Sequence, residues 1–217
     1  MLNRCREGLS SFPVSIPGPS GLLEGKVDCA ASNEPHGSAV ICHPHPLYGG
    51  TMQNKVVHTL AKSFAANNQT AVRFNFRGVG ASEGSYDEGK GETDDVLAVS
   101  DWVAEQQEGL PVVLAGFSFG SYVALLAAAK IQPAALITVA PPVRMFDLDN
   151  LQYSISCPWL LIQGDEDEVV DINSVINWVA TMKVPPEVNI IEGSSHFFHG
   201  KLIELRSICD AFLKSLR

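Results

Sequence analysis

Val112-Val113-Leu114-Ala115-Gly116-Phe117-Ser118-Phe119-Gly120-Ser121-Tyr122-Val123-Ala124-Leu125 is the stretch on which the reading of this chain turns. Val112–Ala115 reads as a short buried strand, and Phe119–Lys130 as a helix. Between them Gly116 to Gly120 fits the pattern G-x-S-x-G. A sharp strand–turn–helix forces its central serine into a strained backbone conformation. Small residues are needed two before and two after, because a Cβ there would collide with neighbouring backbone. Gly116 and Gly120 supply that space. The expected result is an exposed Ser118 Oγ at the positive end of a helix, with the Phe119 N–H free to stabilise an oxyanion. A glycine-rich turn with a capping serine is the plainer alternative, and the flanking strand and helix weigh against it.

The same rhythm extends outward in both directions. Upstream, Val14–Ile16 and Leu22–Cys29 read as short strands around the turn Pro17-Gly18-Pro19-Ser20-Gly21. Gly37–Cys42 is a compact apolar run, Lys55–Ala65 has helical spacing, and Thr70–Phe76 is β-branched and aromatic. A polar, Gly-rich loop follows from Arg77 to Gly91. A helix is expected over Thr93–Gln107, capped by Thr93 or Asp94, with Val96, Val99, Trp102 and Val103 on one face. Downstream come strands at Ala134–Val139, Trp159–Gln163 and Val188–Ile191, and helices at Ile172–Met182 and Lys201–Leu216. Strands alternating with helices imply an α/β fold with a mostly parallel sheet covered on both faces. No linker or internal repeat interrupts it, so one domain over residues 1–217 is expected.

Composition narrows the function classes. The chain has 217 residues, with 15 Lys+Arg against 24 Asp+Glu, a formal net charge of −9. That balance argues against a nucleic-acid or anionic-membrane surface. No apolar run approaches the roughly 18 residues of a membrane span, and the N-terminus MLNRCREGLSSF has no signal-peptide core. The five cysteines, Cys5, Cys29, Cys42, Cys157 and Cys209, are odd in number and irregularly spaced, which is not a disulfide framework. With no CxxC pair, a cytoplasmic, reducing location is expected.

A serine alone is a poor nucleophile and needs a base and an orienting acid. With this turn both should follow in the chain, acid first and histidine second. The strand Trp159–Gln163 runs into Gly164-Asp165-Glu166-Asp167-Glu168, and Val188–Ile191 runs into Gly193-Ser194-Ser195-His196. In a parallel sheet these loops emerge at one edge, so the groups can converge. Asp167 is favoured as the acid because it lies far enough from the strand end to turn back, with Asp165 as the alternative. His196 is favoured over His199, which falls at the start of the last helix.

Gly116–Gly120, Gly164–Val170 and Gly193–His196 together resemble the α/β-hydrolase superfamily. His43-Pro44-His45-Pro46-Leu47-Tyr48-Gly49-Gly50 occupies the place of that family's His-Gly oxyanion loop. Phe74-Asn75-Phe76-Arg77-Gly78-Val79-Gly80-Ala81-Ser82 resembles its R-G-x-G-x-S loop. The resemblance covers nearly the whole chain and implies a three-layer αβα architecture. It implies Ser118, Asp167 and His196 as a catalytic triad, with the N–H groups of Phe119 and His45 as the oxyanion hole. Leu47 is the alternative to His45, since Pro44 and Pro46 have no N–H. His43 is read as ordering the loop. Pro141 to Pro158 leaves room for one short helix and no cap domain. The closest likeness is to small lidless hydrolases of the carboxylesterase and dienelactone hydrolase groups, with Ser118 where the latter usually carry cysteine. The implied activity is hydrolysis of a small ester or thioester through an acyl-enzyme, failing at acidic pH as His196 takes a proton. The rivals are a peptidase or acyltransferase on the same triad, and a non-catalytic binding protein of the same fold.

Several other patterns carry less. Gly84–Gly91 imitates a phosphate loop, but Gly91 stands where Ser or Thr should meet magnesium. Gly78–Gly84 misses the dinucleotide fingerprint by one position. His43, His45, His196, His199, Asp165 and Asp167 share a sheet edge, yet no HExxH accompanies them. Phe117, Phe119, Phe197, Phe198, Tyr48 and Phe146 flank the motifs, and some are expected to line an apolar acyl pocket. Arg77 and Arg144 are read as surface or structural arginines. No cofactor and no metal are expected, and the expected partner is a small-molecule substrate. The sequence does not distinguish a monomer from a homodimer.

Overall fold

The computed structural model describes residue 5 and residues 8–107, 109–146, 148 and 155–216. Eight strands form one sheet: β1 Ser11–Gly18, β2 Gly21–Asp28, β3 Ser38–Cys42, β4 Thr70–Phe74, β5 Val112–Phe117, β6 Ala135–Val139, β7 Trp159–Gly164 and β8 Glu187–Ile191. Their order is β1-β2-β4-β3-β5-β6-β7-β8. From β4 through β8 all neighbours are parallel. β1 and β2 form an antiparallel hairpin that joins β4 antiparallel. Pro13 and Pro17 sit in β1, an edge strand, where a missing N–H costs no ladder bond.

The helices are α1 Lys55–Ala66, α2 Lys90–Gln106, α3 Phe119–Ile131, α4 Ile172–Ala180 and α5 Leu202–Ser215. A further 3₁₀ turn covers Pro46–Tyr48. Side chains of α2, α3 and α4 pack in one core cluster, and those of α1 and α5 in the other. The sheet lies between, so every residue of β3, β4, β6 and β7 is buried and none of these strands alternates. On α1, Val56, Leu60 and Phe64 follow helical spacing and are fully buried or nearly so. Each such side chain is worth about 1.5–3 kcal/mol of burial. The layers are those the sequence pattern implies.

Two expectations need correction. The helix expected from Thr93 begins three residues earlier, with Gly89 as its N-cap in a left-handed conformation. Glu92 supplies the cap: its buried carboxylate accepts the N–H of Gly89 at 2.8 Å and of Asp87 at 2.9 Å. Thr93 lies inside the helix, its hydroxyl donating to the Gly89 carbonyl. The glycine hid the start, because the cap is carried by the residue three positions on. Second, Cys5 and Cys29 form a disulfide with a Cα–Cα distance of 5.6 Å, while Cys42, Cys157 and Cys209 are free. The spacing concealed a bridge across the end of the hairpin, and the argument from cysteine spacing for a reducing compartment falls with it. Among the described residues no helix is long and apolar enough to cross a membrane.

Candidate active site

Ser118 stands at the junction of β5 and α3 with φ 54° and ψ −120°. A non-glycine residue there is strained by about 1–3 kcal/mol and persists only where its surroundings over-determine it. The surroundings do so. The Ser118 N–H donates to the Val139 carbonyl at 2.8 Å. Ser121 Oγ lies 2.7 Å from the Gly116 carbonyl and accepts the Val139 N–H at 3.0 Å. A Cβ on Gly116 would strike the Gly120 carbonyl, and one on Gly120 the carbonyl of Cys42. The turn is thus pressed between β3, β6 and its own helix.

Three side chains form one line. Ser118 Oγ lies 3.1 Å from His196 Nε2, and His196 Nδ1 lies 2.8 Å from Asp167 Oδ2. An ionised carboxylate only accepts, so Nδ1 carries the proton and Nε2 is left to accept from the serine. Asp167 also takes the N–H groups of Val169 at 2.8 Å and Val170 at 2.7 Å on Oδ1, and Gln163 Nε2 at 3.0 Å on Oδ2. Burial pushes its carboxyl up, but the His196 bond and the Val170 and Val169 amides outweigh it, and the net shift is downward. The carboxylate is therefore ionised and held. Asp165 turns elsewhere: it accepts the Gly193 N–H at 2.7 Å and ties two loops together. His199 is exposed, with its ring against Phe197.

The loop after β3 approaches the same point. His43 is fully buried, donating from Nδ1 to the Pro44 carbonyl at 2.6 Å and accepting the Phe76 N–H on Nε2 at 3.1 Å. Burial lowers its pKa to about 4, so the ring is neutral. The Leu47 N–H is already given to His45 Nδ1 at 3.2 Å. Among the described residues the N–H groups of Phe119 and His45 have no acceptor. A cleft of about 410 Å³ opens over Ser118, lined by His45, Tyr48, Phe119, Met145, Phe146 and Phe197 among others. Its rim is largely apolar and solvent-facing: Tyr48 is 87% exposed, Met145 58%, Phe197 44% and Val169 42%.

Sequence reasoning missed three contributors. Glu168 Oε2 accepts the His196 N–H at 3.1 Å. Gln163 binds Asp167, and as a polar residue ending an apolar strand it was a readable signal. Tyr86, from the polar loop, places its hydroxyl 3.2 Å from His45 Nε2. Arg77, by contrast, is spent on Asp95, with Nη2 to Oδ1 at 2.7 Å. Among the described residues no group of three or more His, Cys, Asp or Glu is placed to hold a metal.

Residues 33–149 match the family described as serine aminopeptidase, S33. An uncharacterised protein of Rickettsia prowazekii is 33% identical over 214 residues, covering 94% of this chain and 89% of that protein. Among solved structures, an α/β serine hydrolase without a lid from Xanthomonas campestris is 41% identical at a TM-score of 0.90, covering 95% of this chain and 94% of its own. An α/β serine hydrolase homologue from Coxiella burnetii is 45% identical at a TM-score of 0.90, covering 94% and 97% respectively. The fold, the likeness to a serine hydrolase without a lid, and the family match converge: the chain is a hydrolase of the α/β-hydrolase superfamily and belongs to the serine aminopeptidase, S33 family.

Proposed function

We propose that the protein is a serine hydrolase of apolar carboxylic esters or thioesters, working through an acyl-enzyme on Ser118. The observation that carries this is the hydrogen-bonded line Ser118–His196–Asp167 at the floor of an apolar cleft. Ser118 Oγ attacks the carbonyl carbon as its proton passes to His196 Nε2. The carbonyl oxygen takes the electron pair and is met by the Phe119 and His45 N–H groups. The bond to the leaving alcohol or thiol then breaks, and that group takes the proton from His196. Water adds next, giving its proton to His196. The acid leaves as Ser118 recovers the proton. Asp167 holds Nδ1–H throughout and offsets the charge on the imidazolium.

The lining of the cleft favours esters over peptides. An aminopeptidase must hold its substrate's α-ammonium, which calls for an acidic partner. Among the described residues that line this cleft there is no Asp or Glu. Aromatic and aliphatic groups suit an uncharged acyl or alcohol portion instead.

Labelling with a fluorophosphonate, followed by peptide mass spectrometry, tests the reading. The expected adduct is on Ser118 and is absent in His196→Ala. No adduct in the wild type would sink the proposal. A matched pair, p-nitrophenyl butyrate and an aminoacyl p-nitroanilide, tests the substrate class: turnover of the anilide alone would reassign the protein as a peptidase.

A further inference from the structure

His45 stands between two prolines. Proline has no N–H, so in Pro44-His45-Pro46 only His45 can present one. A residue ahead of proline is confined to extended backbone, and His45 complies with φ −55° and ψ 123°. This aims its N–H but leaves a half-exposed loop to be held by other means. The imidazole supplies them. Its Nδ1 accepts the Leu47 N–H at 3.2 Å, capping the 3₁₀ turn Pro46–Tyr48 as an asparagine would. With Nδ1 accepting, the neutral ring carries its proton on Nε2 and donates it to the Tyr86 hydroxyl at 3.2 Å. Partial burial lowers the pKa of this ring, which favours the neutral form. The same ring lies 4.8 Å from Tyr48 and 4.8 Å from Phe119, centroid to centroid.

We propose that the His45 side chain, seated on the Tyr86 hydroxyl, is the positioning group that holds its own backbone N–H at the oxyanion. The proposal rests on the serine-hydrolase reading above. It ties the polar loop after β4 to catalysis through Tyr86, which touches no reacting atom. A ring kept only for packing would need no acceptor at Nδ1. Two substitutions separate these roles: His45→Phe keeps the ring and loses the cap, while His45→Asn keeps a capping acceptor and loses the ring.

Steady-state hydrolysis of p-nitrophenyl butyrate by the full chain reads the difference. His45→Phe should lower kcat by about 10²-fold with KM within about threefold, the signature of a lost transition-state donor. His45→Asn should stay within about tenfold of wild type. Tyr86→Phe should lose about fivefold in kcat. Wild-type kcat in His45→Phe, or an equal loss in His45→Asn, overturns the proposal. Should His45→Phe fail to fold, Tyr86→Phe decides, and an unchanged kcat there overturns it. A wild type that neither turns over the ester nor takes a fluorophosphonate refutes the hydrolase reading itself, whereas failure of the positioning role leaves the wild type active.

Discussion

The turn after β5 and the loop after β3 face one cleft but are held in opposite ways. The turn is fixed mostly by main chain, with the Ser121 hydroxyl adding to it. Ser118 is strained, and it is pinned by β6 backbone, by Ser121 and by close approach at two glycines. The loop is fixed by side chains. Two imidazoles do most of it: His43 bridges β3 to Phe76, and His45 caps the turn that follows. The turn is buried, while Leu47, Tyr48 and Gly49 are exposed. A strained residue needs a rigid, crowded setting, and a rim that admits substrate needs an open one. The two designs answer those two demands.

The largest effect should come from the turn. Ser118→Ala is expected to remove at least about 10³-fold of kcat with an unchanged melting temperature, since the hydroxyl is a functional rather than a packing group. Kinetics beside a thermal melt checks both halves, and residual wild-type turnover would break the assignment.

Next is the root of the loop. The folded His43 pKa is about 4, below the unfolded value. The unfolded chain therefore takes up a proton first as pH falls. The His43 contribution to stability is intact above the unfolded value near 6.5 and is lost as pH falls towards 4. The loss is about 3 kcal/mol, at 1.36 kcal/mol per unit. Proton NMR should find this ring still neutral at pH 5.5, and urea unfolding should weaken over the same window. A ring that titrates near 6.5 would show that the loop is not sealed at its root.

Matched glycine substitutions compare the two regions directly. Gly120→Ala drives a methyl into the Cys42 carbonyl inside the core and should cost about 2–3 kcal/mol. Gly49→Ala, in the exposed part of the loop, meets no atom within 4 Å and bears only the strain of its positive φ, and should cost about 1 kcal/mol. Equal costs in urea unfolding would dissolve the distinction between a rigid turn and a yielding loop. The smallest effect is a gain: Ser118→Gly relieves the positive φ and should hold or raise stability by up to about 1 kcal/mol, while abolishing hydrolysis. A clear loss of stability would mean that the strain is not stored at Ser118.

Much of this was legible in the chain. Continuous apolar runs such as Ala134–Val139 and Trp159–Gln163 mark strands buried on both faces, because a two-sided sheet leaves no polar alternate position. Gly116 and Gly120 mark the turn because only glycine tolerates backbone at that distance. The start of α2 was not legible, since its cap comes from Glu92 rather than from a residue at the boundary. The Cys5–Cys29 bridge was not either, since pairing depends on where the β1–β2 hairpin lies relative to the preceding segment.

The sequence by itself determined the class of fold, the strained serine turn and the chain order of the acidic and histidine loops, because periodicity, glycine placement and proline chemistry are local. Which acid meets His196 was a tertiary decision. Asp165 and Asp167 are two residues apart in one loop, and only the folded loop directs one to Gly193 and the other to the imidazole. So was the meeting of His45 with Tyr86, whose residues lie on loops after different strands. Such contacts depend on how loops fold back over a sheet edge, and no short-range pattern in the chain encodes that distance.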